Sequence, residues 1–249
     1  MSIRQFQTRQ FLLPKSGHQL SECEDAIGIN SLSLRFAVAD GATEAFAAQS
    51  WAQRLAHNWV QFETAALTPD EFRAWIIEQG QALHESWGGA RLSWYAEEKA
   101  RMGSFAAFVG VQLELEVEPC WNAIALGDAC LIHTRKGAVL SSLPVSNYES
   151  FNASPLLVPS HSYLQEAALN QIVVSHGALE TRDVLLLLSD AAAAWYLMLV
   201  EKDDQTRSLF EQLLKAVRET ELVQLFESER HAGRIKDDDI AVVRIEVES

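Results

Sequence analysis

Four aspartates stand where an apolar run meets a turn. The run Leu34-Arg35-Phe36-Ala37-Val38-Ala39 ends in Asp40-Gly41, and residues 184–188 end in Ser189-Asp190. Lys236-Asp237-Asp238-Asp239 opens the last alternating run, and Gly127-Asp128-Ala129 separates the apolar runs 121–126 and 130–134. Glu24-Asp25 adds two acids just ahead of Ala26-Ile27-Gly28-Ile29. A carboxylate at a strand tip, with a glycine that lets the backbone come close, suits a divalent cation held by carboxylate and carbonyl oxygens. An Asp-Gly pair alone is more often an ordinary turn, so the chemistry depends on these strands sharing a core that gathers their acids at one rim. Gathered carboxylates repel and are tolerated when cations neutralise them; oxygen donors without paired His or Cys point to Mg2+ or Mn2+. Two such ions, about 3.5 to 4 Å apart, can clamp a phosphoryl oxygen and lower the pKa of a bridging water.

The elements that would position these acids follow from periodicity. Leu34, Phe36 and Val38 fall on one face of an extended run and Ala37 and Ala39 on the other, which predicts a buried strand ending at Asp40. Trp51, Leu55, Trp59 and Phe62 recur at helical spacing over 47–62. A second helix starts at Thr68, with Pro69 at its first position and Glu71 completing a capping box. Its buried side is Phe72, Ile76, Leu83 and Trp87, and Gly88-Gly89 stops it. A third helix is expected over about 92–101. Val109, Val111, Leu113, Leu115 and Val117 alternate with Gly110, Gln112 and three glutamates, predicting an antiparallel strand wet on one face. Runs 121–126 and 130–134 read as a hairpin with Asp128 at its turn. The segment 138–180 is expected to be irregular with short strands, 191–200 helical, 205–227 one long amphipathic helix, and the polar N-terminal segment carries no clear element. Strands that do not alternate regularly with helices suit antiparallel sheets with helices packed outside.

Composition bounds the rest. The chain has 249 residues, is 48% hydrophobic and 22% charged, and has no linker, repeat or low-complexity tract, so one domain over 1–249 is expected. Twenty basic against thirty-four acidic residues give a formal net charge of -14, and no basic stripe is interleaved with aromatics. Nucleic acid and anionic membranes are excluded as partners. An acidic protein that handles an anionic group needs positive charge at the site, which bound metal supplies. Phe11-Leu12-Leu13 is too short an apolar run for a signal sequence or membrane span, so a cytoplasmic protein is expected. Cys23, Cys120 and Cys130 are too few and scattered for a disulfide framework or zinc site. The histidines have no ligand spacing, and the chain has no Gly-x-Ser-x-Gly elbow.

In order, Glu24-Asp25, Val38-Ala39-Asp40-Gly41, Gly103-Ser104-Phe105-Ala106, Leu126-Gly127-Asp128, Leu187-Leu188-Ser189-Asp190 and Asp238-Asp239-Ile240-Ala241-Val242-Val243 resemble the motifs of the metal-dependent type 2C protein Ser/Thr phosphatases. Ala39 to Glu44 followed by the Trp51 helix is most similar to the divergent bacterial branch. The resemblance runs over about 16–247 and implies an α+β fold, a four-layer α-β-β-α sandwich of two antiparallel sheets flanked by helices. It further implies hydrolysis of phosphoserine and phosphothreonine in proteins, opposing a signalling kinase, by a water activated between two Mg2+ or Mn2+ ions. Carried over residue by residue, Asp40 bridges the metals, the Gly41 carbonyl ligates one, and Asp190 and Asp238 ligate the other. Glu24 and Asp25 act through metal-bound waters, and Asp128 corresponds to an acid of a third, weaker metal. Leu20 stands where the family carries a phosphate-binding arginine, which leaves Arg9, Lys15 or His18 to compensate. Ala191 replaces a glycine, Asp239 an asparagine, and Ala194 a further acid of the third metal. These departures keep open the alternative of a catalytically weak, metal-binding sensing or interaction module.

Overall fold

The structure, a computed structural model, describes residues 5–43, 45–62, 68–87, 94–152 and 155–248. The first half of the chain forms β1 (Gln5–Leu13), β2 (Asp25–Asn30), β3 (Arg35–Gly41), α1 (Ala48–Trp59), α2 (Pro69–Ser86), α3 (Trp94–Met102), β4 (Phe105–Glu114) and β5 (Cys120–Leu126). The second forms β6 (Cys130–Arg135), β7 (Ala138–Leu143), β8 (Val158–Pro159), α4 (Ser162–Leu169), β9 (Val173–Ala178), β10 (Asp183–Leu188), α5 (Asp190–Glu201), α6 (Thr206–Lys215), α7 (Glu219–His231) and β11 (Ile240–Glu248).

The alternation of β3 sets the layers. Phe36 and Val38 point into a core shared with Val109 and Val111 of β4, Leu185 and Leu187 of β10 and Ala241, Val243 and Ile245 of β11. Ala37 and Ala39 point the other way, against Trp51, Leu55, Ala56 and Trp59 of α1 and Phe72 and Ile76 of α2. One sheet runs β2-β3-β4-β5-β9, with β8 on β4; the other runs β1-β11-β10-β6-β7, and all pairings are antiparallel. The outer face of the second sheet is covered by Ala192, Trp195 and Tyr196 of α5, Phe210 of α6 and Phe226 of α7. The result is the expected α+β arrangement of helix, sheet, sheet and helix layers. No helix among the described residues is long and apolar enough to cross a membrane.

Small residues let α1 lie close to its sheet. A Cβ on Gly28 would sit 2.1 Å from the Ala56 carbonyl oxygen. Gly28→Ala must therefore push α1 off the sheet, and such overpacking typically costs about 1 to 3 kcal/mol. A lower urea midpoint with unchanged m-value is expected; an unchanged midpoint would show that the helix yields without cost.

Five expectations are corrected. The runs around Asp128 do not form a hairpin: β5 pairs in one sheet and β6 in the other, so Gly127-Asp128-Ala129 is the corner where the chain crosses between sheets. The β4 strand ends at Glu114, its second face is mostly covered by the α1–α2 layer, and Val117 lies outside it, 93% exposed. Gly110 marks that cover, since a Cβ there would meet the Trp59 ring at 2.5 Å. The N-terminal segment is a strand, β1, paired with β11 over nine residues. Segment 138–180 contains β7, β8, α4 and β9 rather than mainly irregular chain. The long helix over 205–227 is two: Val217 takes a left-handed φ of 55°, and Arg218 N–H donates to the Leu213 carbonyl at 3.0 Å, closing α6 with a Schellman-type cap. The α2 capping box is present as expected, with the Glu71 N–H donating to Thr68 Oγ1 at 3.2 Å. Gly88-Gly89, the first residues of the expected third helix, and Glu44 lie outside the described residues.

Candidate metal centre

The acids gather where the two sheets open at one end. Asp25 and Asp40 are directly opposite each other on β2 and β3, so their side chains leave the same face, the one that carries Phe36 and Val38 into the inter-sheet core. Like charges so placed oppose folding unless something compensates. From the other sheet, β10 ends at Leu188, Ser189 takes the N-cap position and α5 begins at Asp190, whose backbone N–H donates to Asp40 Oδ2 at 3.3 Å. A helix N-terminus favours nearby negative charge, which gives both aspartates partial relief. Asp128 reaches the same end because β5 and β6 belong to different sheets.

The electrostatics show how close these groups are. Burial first, then Asp25, Asp190, Asp128 and Asp238, push the Asp40 carboxyl well above its ordinary value. Burial likewise raises Asp25, followed by Asp239, Asp190 and Asp238, against a lowering hydrogen bond from Ser189. Asp128 is raised to about 6, by burial and then by Asp190. Asp25 is only 4% exposed, and its Oδ2 has no hydrogen-bond partner. A buried carboxylate oxygen left unpaired is costly and calls for a proton or a cation.

Of the residues singled out in the sequence, Asp25, Asp40, Asp128, Asp190 and Asp238 are brought together. Glu24 is adjacent but engaged elsewhere, its Oε2 accepting from Lys15 Nζ at 3.3 Å. Gly41 ends β3 with its N–H on the Glu24 carbonyl at 3.3 Å. A Cβ there would come within 2.9 Å of backbone atoms of Glu24 and Ala48, so only glycine admits this approach. Among the described residues, no three Asp, Glu, His or Cys side chains form a group that could hold a metal ion as they stand. Asp190 and Asp238 are drawn instead to Lys236, whose Nζ lies 3.3 Å from one and 2.6 Å from the other.

Four further residues complete the centre, of which Lys15 is one of the three named in the sequence to compensate for the arginine. Asp239, 3% exposed, accepts from the Lys15 N–H at 2.8 Å and the Glu24 N–H at 2.7 Å, tying the β1–β2 connection to β11. Ser189 accepts from the Ala241 N–H at 2.9 Å while bonding to Asp25. Lys15 and Lys236 bring positive charge. The signals were the position of Asp239 at the start of an alternating strand and of Lys15 near Leu20; Lys236, in a turn, has no signature.

The candidates for the missing arginine are also separated. Leu20 is 59% exposed, on the rim of a groove of about 460 Å³ that reaches Asp25. Arg9 donates to Thr8 O, Gln7 Oε1 and Lys215 O on the outer side of β1. His18 lies beside Asp237. Lys15 alone of the three stands at the centre, its Nζ also 3.4 Å from Thr43 Oγ1. The histidines serve elsewhere: buried His133 contacts Asp183 at 2.9 Å and Trp121 at 3.2 Å, and His84 and His161 pack together beside Ser160.

No family sequence model matches the chain, and no curated protein matches it by sequence. Solved structures do match. The chain resembles the serine/threonine phosphatase Stp1 from Staphylococcus aureus with a TM-score of 0.66 at 16% identity, over 100% of this chain and 98% of that one. It resembles PppA, a regulatory component of the T6SS in Pseudomonas aeruginosa, with a TM-score of 0.62 at 16% identity, over 99% and 100%. The catalytic domain of the serine/threonine protein phosphatase PstP, solved with two manganese ions, gives 0.61 at 15% identity, over 98% and 99%. At such identities the likeness is one of fold.

Proposed function

Because this chain has the fold of the metal-dependent type 2C protein Ser/Thr phosphatases, we propose that it hydrolyses phosphoserine and phosphothreonine in proteins with Mg2+ or Mn2+, opposing a Ser/Thr kinase. The observation that carries this reading is the set of mutually repelling carboxylates at one end of the inter-sheet core, with a buried Asp25 oxygen left unpaired. A fold gains nothing from that arrangement unless a cation relieves it. The donors suit a hard cation, being oxygen only.

In this reading Asp40, the Gly41 carbonyl, Asp190 and Asp238 would hold the two ions, with Asp40 common to both. Glu24 and Asp25 would act through metal-bound waters, and Asp128 would be left for a third, weaker ion. When bound, the pair of ions polarises the phosphoryl oxygens and supplies an activated water. The chain's own part is orientation. Asp239 fixes the loop carrying Lys15 and Glu24, Gly41 lets that loop approach β3, and the Lys15 ammonium binds phosphate oxygens in place of a guanidinium.

The reading is tested with protein stripped by EDTA and a phosphothreonine peptide, following phosphate release with and without Mn2+. Release only with metal is expected. A protein that binds Mn2+ in a calorimeter yet releases no phosphate at any divalent-ion concentration would overturn the enzymatic reading. Lys15→Met should then raise KM about 10-fold or more with a smaller change in kcat, because a hydrogen bond to a charged group is worth about 1.5 to 3 kcal/mol. Its backbone stays anchored on Asp239, so the fold is preserved. An unchanged KM would remove Lys15 from phosphate binding.

A further inference from the structure

Lys236 lies between α7 and β11, on a loop held from both sides. Arg230 donates to the Asp238 carbonyl at 2.5 Å and pairs with Asp237 at 3.4 Å, while Ile235 is buried. The lysine side chain itself is 64% exposed. Its ammonium bridges Asp190 at the start of α5 and Asp238 just before β11, two carboxylates from different elements. These are the two proposed to share a divalent ion, so this inference rests on that reading. No cation can draw both carboxylates together while the ammonium holds them.

We propose that Lys236 is a built-in competitor for the metal: it neutralises Asp190 and Asp238 in the metal-free protein, lowers the affinity of that position, and swings out into solvent when the ion enters. The geometry supports each part. The loop backbone is fixed, so only the side chain has to move. The pairs are partly exposed, so they are weak enough to be displaced. A monovalent ammonium loses to a divalent ion at two carboxylates on charge alone. The protein thereby gains a metal-free state without two unopposed aspartates, and requires more metal to load.

The test is calorimetric titration of EDTA-stripped protein with Mn2+, comparing wild type, Lys236→Gln and Lys236→Arg. Exposed ion pairs contribute little each, so Lys236→Gln should bind Mn2+ about 3- to 10-fold more tightly. Lys236→Arg, which keeps the competing charge, should remain close to wild type. The metal-free Lys236→Gln protein should melt below wild type, and the difference should vanish at saturating Mn2+. A lysine that merely supports the fold would leave affinity unchanged or weaken it. Equal or weaker Mn2+ binding by Lys236→Gln, with binding by wild type, overturns this inference and leaves the phosphatase reading standing. No Mn2+ binding by either protein overturns the metal reading and this inference with it.

Discussion

Asp40→Asn is expected to lower Mn2+-dependent phosphate release about 10²- to 10³-fold or more, while making the metal-free protein more stable. The first effect follows from removing the central charge of a buried polar site, where one preorganised electrostatic group is worth that much. The second follows from repulsion. Burial, then Asp25, Asp190, Asp128 and Asp238, hold the Asp40 carboxyl well above its ordinary value. For a carboxyl raised on folding, the folded state binds more protons than the unfolded state, so stability falls as pH rises from the ordinary carboxylate range toward neutrality. Asparagine keeps the shape and removes that loss. Urea denaturation of metal-free protein at pH 5 and pH 7.5 reads it: wild type should lose more stability than Asp40→Asn between the two. Full activity in the variant, or an identical pH dependence, would place Asp40 outside the centre.

Saturating Mn2+ is expected to raise the melting temperature of the EDTA-stripped protein by about 5 to 10 °C. A ligand that binds only the native state stabilises it by about 2.7 kcal/mol at one hundred times its dissociation constant, and 1 kcal/mol moves the melting temperature of a chain this size by about 2 to 4 °C. Cation entry also relieves the Asp25–Asp40 opposition across β2 and β3. The shift should disappear in Asp40→Asn. Coincident melting curves with EDTA and with millimolar Mn2+ would mean that the carboxylates are held by protons and lysines alone.

What the sequence determined by itself was local. The β3 strand and its two faces were legible because a period of two needs only neighbouring residues, and the face that receives Phe36 and Val38 is indeed a different layer from the one that receives Ala37 and Ala39. The start of α2 was legible because a capping box is complete within four residues. The placement of Asp40, Asp190 and Asp238 at strand boundaries was legible for the same reason. Where elements are long-range or their local signals mislead, only the tertiary structure decided. Strand β1 is polar over most of its length and is made a strand by nine partners on β11, more than two hundred residues away. Runs β5 and β6 look like the arms of a hairpin, yet which sheet a strand joins depends on its partners β9 and β10, so the turn became a crossing and delivered Asp128 to the acids. The break between α6 and α7 falls at a β-branched Val217 with no glycine to announce it. At the centre itself, residue types foretold a group of carboxylates, but their counter-ions and tethers come from chain positions that nothing local connects: Lys236 pairs with Asp190, Lys15 with Glu24, and Asp239 accepts from the backbone of the loop that carries both Lys15 and Glu24. Charges choose partners by distance in space, and that distance is set only once both sheets have closed on their common core.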